Sequence, residues 1–264
     1  MHNHISVTYA DELVIQPGRM WVRFMDRMVC SLRFDGVATD GDGTLYESNE
    51  AISETFKEGL RHLKGGIKVS DEEWRQHYAP LIPQGWAWGK TWEEKLRILG
   101  SQRVVMKEST VSEIAAFAAE IGSQLVESNR VRVTPIEPVC RMLRRLHAGG
   151  ENITLVTGTP TTMAQAFVKR ADLHGAIKEI RGPEAYLNGK PHPEPFAPFA
   201  PNALALEDSV NGITSAVSAG IGTVIGCLQG ETSRLKFKTA LAELELERPC
   251  RVVIISRWEA IREE

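Results

Sequence analysis

Cysteine is scarce. Only Cys30, Cys140, Cys227 and Cys250 occur in 264 residues, and no two are spaced as a CxxC pair. This argues against a paired-thiol zinc site and a secreted disulfide framework. Buried thiols in a reducing, cytoplasmic setting are expected instead. Long apolar runs are missing too. None approaches the ~20 residues that cross a bilayer, so no membrane partner is expected. Long basic runs are also absent. The formal net charge is -3, from 31 Lys+Arg against 34 Asp+Glu, and no nucleic-acid partner is expected. Residues 1–33 do not read as a signal peptide, because Arg19, Arg23, Asp26 and Arg27 break the stretch. No repeat or low-complexity tract is visible. What is present is ordinary for a folded chain: 42% hydrophobic and 25% charged residues. The length suits one domain with an insert, or two smaller domains.

Short apolar runs end abruptly in polar residues. Val37–Thr39 precedes Asp40, Ile153–Val156 precedes Thr157, and Ala203–Leu206 precedes Glu207. Thr223–Ile225 and Arg251–Ile255 are similar runs. Continuous runs of this length suit strands buried on both faces of a parallel sheet. Helix signals lie between them. Thr134-Pro135-Ile136-Glu137 predicts a helix with Thr134 as N-cap, running to about His147 and stopping at Gly149-Gly150. Thr159-Pro160 predicts the start of the next helix. The alternation predicts a doubly wound α/β fold with a parallel sheet.

Residues 51–130 read differently. Ser70/Glu73, Thr91/Glu94 and Thr110/Glu113 form three capping-box patterns. No good strand candidate interrupts them. After the third, Val111, Ile114, Ala118, Ile121 and Leu125 follow a helical period. The stretch predicts a helical insert between the first two strands of the α/β core.

Four constellations follow the apolar runs or lie between them. In Asp40-Gly41-Asp42-Gly43-Thr44-Leu45, one carboxylate can attack while the other moves a proton. A calcium loop of the EF-hand type fails, since its twelfth position, counted from Asp40, is Ala51. An ordinary Asp-Gly turn fits the hexapeptide taken alone. Thr157-Gly158-Thr159 offers a hydroxyl and free amides to an anion, although Thr159 as a plain N-cap explains half of it. In Gly189-Lys190-Pro191-His192-Pro193-Glu194-Pro195-Phe196 the prolines stiffen a loop carrying Lys190. In Glu207-Asp208-Ser209, adjacent acids need a cation or hydrogen bonds to coexist. Mg²⁺ prefers such oxygen donors.

In this order, these motifs resemble the haloacid dehalogenase superfamily over roughly residues 34–260. The resemblance is to its phosphatase branch with a helical cap, the group that includes β-phosphoglucomutase and phosphoglycolate phosphatase. It implies a Rossmann-like core at 34–50 and 131–264, a helical cap at 51–130, and a residue 1–33 extension of unassigned role. It implies that Asp40 attacks phosphorus to form an aspartyl phosphate. Asp42 would protonate the leaving oxygen and then activate water. Mg²⁺ would be held by Asp40, the Asp42 carbonyl, Asp208 and Glu207. Thr157, Gly158 and Lys190 would hold the phosphoryl oxygens. The substrate would be a small phosphorylated metabolite, most simply a sugar phosphate, and the protein a monomer or homodimer.

Departures from the family pattern refine this. Asp42 argues against a dehalogenase, whose halide leaves without a proton. The mutase branch carries a hinge histidine twelve residues after the nucleophile, and Ile52 stands there. Hydrolysis is therefore expected, with a phosphosugar mutase as the alternative enzyme. A phosphometabolite-binding protein is the alternative of another class, although a binder has no need of Asp42. The segment between Lys190 and Glu207 is too short for a full flanking helix. Trp86, Trp88 and Lys90 sit between expected cap helices and are candidates for substrate selection; packing inside the cap is the simpler role for the tryptophans.

Overall fold

The computed structural model describes residues 5–25, 27–62, 70–78, 108–199, 201–228, 231–242, 244 and 249–262. Its centre is a seven-stranded parallel sheet. The strands are β1 (Ile5–Tyr9), β5 (Val37–Thr39), β8 (Ile153–Val156), β9 (Glu179–Arg181), β10 (Leu204–Glu207), β11 (Thr223–Cys227) and β12 (Cys250–Ile255). They lie in the order β1-β12-β11-β10-β5-β8-β9. Every adjacent pair is parallel.

The apolar runs become central strands because both faces of the sheet are covered. Side chains alternate between two cores, as the twofold period of a strand requires. Val37, Leu204, Leu206, Ile225, Val253 and Ile255 enter one core. Ala38, Ala205, Val224, Val252 and Ile254 enter the other. The first is covered by α3 (Glu137–Ala148) and α4 (Thr161–Arg170), whose buried stripes include Val139, Leu143, Leu146, Met163 and Phe167. The second is covered by α5 (Val210–Ser218) and α6 (Glu231–Ala242).

The inserted region follows the strand that carries Asp40. It contains α1 (Asn49–His62), a short helical turn at Asp71–Glu73 that continues as a wide turn through Tyr78, and α2 (Glu108–Glu127). Helix α2 packs on α1 and on core helix α4. Ser70 caps its turn as the capping box requires, accepting from the Glu73 amide at 3.2 Å. Thr110 is not an N-cap, because the α2 backbone is already helical from Glu108. Thr91 and Glu94 lie outside the described residues.

Three further expectations change. Thr134 does not cap α3. Thr134–Pro135 forms the short strand β7 against β6 (Tyr46–Glu47), and the Ile136 amide donates to the Leu45 carbonyl at 2.8 Å. This pairing holds the chain extended, so the helix begins after Ile136. Thr159 does not cap α4 either; Pro160 holds that position, and the Thr159 hydroxyl is used elsewhere. Residues 5–33 are integral to the sheets. β1 extends the main sheet beside β12. β2 (Glu12–Gln16), β3 (Arg19–Phe24) and β4 (Arg27–Arg33) form a meander, and β13 (Ile261–Arg262) joins its β2 edge. Leu13, Ile15, Met20 and Val22 are buried in the same core as α3.

The short connection before β10 behaves as its length requires. Between Lys190 and Leu204 the described residues contain one 3-10 turn, Glu194–Phe196, in place of a helix. Phe196 is buried in the same core as Ala38, Ala205 and Ile213. No helix among the described residues is long and apolar enough to cross a membrane.

Candidate active site

Four loops meet at the carboxyl ends of β5, β8 and β10, where open α/β sheets bind ligands. Asp40 follows β5, and its amide continues the ladder by donating to the Leu206 carbonyl at 2.9 Å. The chain then turns tightly. The Gly41 carbonyl accepts from Leu45 at 2.7 Å, and the Gly43 amide donates to the Tyr46 carbonyl at 2.9 Å. Gly43 adopts φ +80, and a Cβ there would collide with the Asp208 carboxylate. Only glycine meets both demands. Gly43→Ala should therefore lower stability by about 1–3 kcal/mol and weaken divalent-ion binding, both readable in thermal melts with and without Mg²⁺.

Lys190 reaches the centre from its proline-rich loop. Its ammonium donates to Asp40 Oδ1 at 2.7 Å, Glu207 Oε1 at 2.6 Å and the Val156 carbonyl at 2.8 Å. All three side chains are essentially buried. Glu194 steadies this loop from outside by accepting the Leu187 and Asn188 amides at 2.8 and 2.9 Å. These amides hold its carboxyl below the usual range.

Asp208 completes an acidic cluster. One carboxylate oxygen each from Asp40, Glu207 and Asp208 lies within 4.8 Å of the others. Three acids surround one buried ammonium, and the electrostatics reflect that imbalance. Burial raises the Asp40 carboxyl, with Lys190 opposing it only in part. Burial pushes Glu207 up to about 8, with Lys190 opposing and Asp40 adding to the rise. Burial, then Asp40 and Glu207, raise Asp208 well above its ordinary value. Burial alone would lower the Lys190 ammonium, but Asp40 and Glu207 outweigh it and raise it. Among the described residues, Asp40 Oδ2 and Asp208 Oδ1 are buried with no hydrogen-bond partner. Orphaned carboxylate oxygens facing a surplus of negative charge fit a hard divalent cation.

Asp42 sits beside this cluster and is held differently. The Ser48 hydroxyl donates to its Oδ1, and the Thr159 hydroxyl donates to its Oδ2 at 2.9 Å. The Thr159 amide in turn donates to the Thr157 hydroxyl at 3.1 Å. Thr157 is fully buried and Gly158 partly exposed at the mouth of β8. Thus Asp40, Asp42, Thr157, Gly158, Lys190, Glu207 and Asp208 converge from positions far apart in the chain. Trp86, Trp88 and Lys90 lie outside the described residues. Ile52 is on α1, half-buried against the core.

Sequence reasoning missed Ser48, the true use of Thr159, and Tyr186, whose hydroxyl donates to the Thr157 carbonyl at 2.6 Å. Ser48, six residues after Asp42, carried a signal as a short hydroxyl beside an Asp that must be oriented; Thr159 lies within a motif already singled out, but its partner Asp42 is 117 positions away.

Comparisons with known proteins bear on the family and the fold. A family model described as haloacid dehalogenase-like hydrolase matches residues 37–225. The chain is 27% identical over 216 residues to a phosphoglycolate phosphatase from Salmonella typhimurium, an alignment spanning 76% of this chain and 85% of the relative. The structure is similar to that of CbbY from Rhodobacter sphaeroides in complex with phosphate, with a TM-score of 0.60, 21% identity, and coverage of 83% of this chain and 93% of that one. It is also similar to a CbbY variant in complex with xylulose-(1,5)bisphosphate, with a TM-score of 0.59, 22% identity and the same 83% and 93% coverage. At these identities the structural likeness speaks to the fold.

Proposed function

The chain belongs to the haloacid dehalogenase-like hydrolases, and on that premise we propose that it is a Mg²⁺-dependent phosphomonoesterase working through an aspartyl phosphate on Asp40. The observation that supports this most is the pairing of a buried Lys190–Asp40 contact with an Asp42 held by two hydroxyls. Asp40 Oδ1 is fixed by the ammonium, so the carboxylate keeps one orientation for attack. A carboxylate and a phosphate repel each other, and Lys190 offsets that repulsion within the site. The Asp40, Asp208 and Glu207 carboxylates, with the Asp42 carbonyl, would hold Mg²⁺. When bound, it supplies Lewis-acid neutralisation of the phosphoryl charge. Thr157 and the Gly158 amide, at the mouth of β8, would receive phosphoryl oxygens.

Atoms balance in two steps. An Asp40 carboxylate oxygen attacks phosphorus, the bond from phosphorus to the ester oxygen breaks, and protonated Asp42 gives its proton to that oxygen. Ionised Asp42 then takes a proton from water as the water attacks the phosphorus of the aspartyl phosphate. Inorganic phosphate leaves, and Asp40 is restored. Ser48 and Thr159 keep Asp42 aimed throughout.

A sugar phosphate is the proposed substrate class. The xylulose bisphosphate in the CbbY variant supports it, while the Salmonella relative's name makes phosphoglycolate the second compound to assay. A cytoplasmic location suits the four unpaired thiols. A monomer or homodimer suffices, since one chain supplies every proposed group.

Release of p-nitrophenol from p-nitrophenyl phosphate should require Mg²⁺ and stop with EDTA. Asp42→Ala should lower hydrolysis of an alkyl phosphate by about 10²–10⁴-fold. The loss in the first step should be smaller with p-nitrophenyl phosphate, whose leaving group needs no proton. Saturable binding of phosphate esters without release would favour the binding protein. Isomerisation of a sugar phosphate without net phosphate release would favour the mutase.

A further inference from the structure

We propose that Trp258 is a positioning residue for the loop that carries Asp40 and Asp42, held in place by the strands formed from residues 5–33. This rests on the metal-dependent reading above and names a device for it. The Trp258 indole N–H donates to the Gly43 carbonyl at 2.8 Å. The ring is buried, 4% exposed. Residue 258 lies beyond the 37–225 segment matched by the family model, and so does the sheet that secures it.

Gly43 is where the loop touches the acidic cluster, since a side chain there would strike the Asp208 carboxylate. The residue is held through both of its backbone groups. The amide donates to the Tyr46 carbonyl, and the carbonyl accepts from Trp258. With both bonds made, the loop's backbone sits at a fixed distance from Asp208. Without the second, the peptide carbonyl is free to rotate, and the separation of Asp40 and Asp208 is set less sharply. Divalent-ion affinity depends on that separation.

The indole cannot drift, because its turn is anchored immediately afterwards. Trp258–Ala260 is a single 3-10 turn. It leads into β13, where Ile261 pairs with Leu13 and Arg262 with Val14 of β2. Leu13 is fully buried, and Ala260 and Ile261 are nearly so. On the other side, the chain enters the turn from β12, which pairs with β1 over five residues. The N-terminal strands thus grip both ends of the segment that bears Trp258. This gives residues 5–33 a task in the site without placing any of them in it.

The test removes one donor and keeps the shape. Trp258→Phe, and a benzothienylalanine installed at position 258 alone, both lack the N–H. Mg²⁺ affinity is measured by calorimetry, and the melting temperature is measured in EDTA. The expected result is an approximately three- to tenfold weaker Mg²⁺ Kd in both variants, the size of one lost hydrogen bond, with the metal-free melting temperature of the benzothienyl variant near that of the parent. An unchanged Kd in that variant overturns the proposal. A weaker Kd that merely tracks a large fall in metal-free stability also overturns it, leaving Trp258 a packing role. If the parent protein itself binds no Mg²⁺, the metal-dependent reading fails, and the inference falls with it.

Discussion

Lys190→Met should lower the melting temperature by roughly 6–20 °C at pH 7–8, from about 3–5 kcal/mol of lost stability. The ammonium is the buried partner of two carboxylates that are themselves 0% exposed. Removing it leaves Asp40 and Glu207 facing each other with no countercharge among the described residues. The folded protein then takes up protons to neutralise them. An unfolded carboxylate ionises near its ordinary 3.8 or 4.5, so the penalty grows with pH above that range. The gap between parent and variant should therefore be small near pH 5 and large near pH 8. Turnover should fall at least about a hundredfold, since one fixed charge at the reacting centre is lost. Equal melting temperatures at pH 8 would show that the ammonium is not what balances these acids.

The metal-free protein should lose stability as pH rises from about 5 to 8, and Mg²⁺ should reverse the trend. Glu207 is raised to about 8 and Asp208 is raised well above 3.8. Between the unfolded and folded values the native state holds more protons than the unfolded chain, so stability falls with increasing pH. The stabilising protonation is complete below about pH 4 and lost as pH passes through 8. A divalent ion replaces those protons and binds better as they leave. At a hundredfold excess over Kd it contributes about 2.7 kcal/mol, or roughly 5–11 °C in melting temperature. Asp208→Asn should be more stable than the parent at pH 8 in EDTA and should respond little to Mg²⁺. Melts across this pH range, with EDTA or MgCl₂, check both parts; a parent protein indifferent to Mg²⁺ at pH 8 contradicts them.

The parallel strands were readable because their faces are both covered. Val37–Thr39, Ile153–Val156 and Leu204–Glu207 need apolar side chains on each side of the sheet, and few other arrangements tolerate such runs. The ends of these strands carry the polar groups, which is why most of the candidate residues could be picked out from motifs. Helix starts were less readable. Thr134-Pro135 has a helix-start pattern, yet a long-range pairing with Tyr46–Glu47 outweighs it. Local propensity carries no record of that partner. Residues 5–33 did hold a signal that went unused: Leu13/Ile15 and Met20/Val22 alternate around Pro17-Gly18, with Gly18 at φ +68. That is the pattern of a hairpin. The bond from Trp258 to Gly43 spans 215 positions, and no local pattern announces it.

The most direct measurement asks whether Asp40 carries the phosphoryl group. The Asp42→Ala protein, which keeps the nucleophile but lacks the base for the second step, is mixed with p-nitrophenyl phosphate and Mg²⁺. It is then quenched and reduced with borohydride, which converts an acyl phosphate into homoserine. Peptide mass spectrometry should find homoserine at position 40, and none when Asp40→Asn is introduced as well. Turnover by the parent enzyme with inversion of configuration at phosphorus, and no reduced residue at position 40 of the Asp42→Ala protein, would mean that water attacks the ester directly and that Asp40 is not the nucleophile.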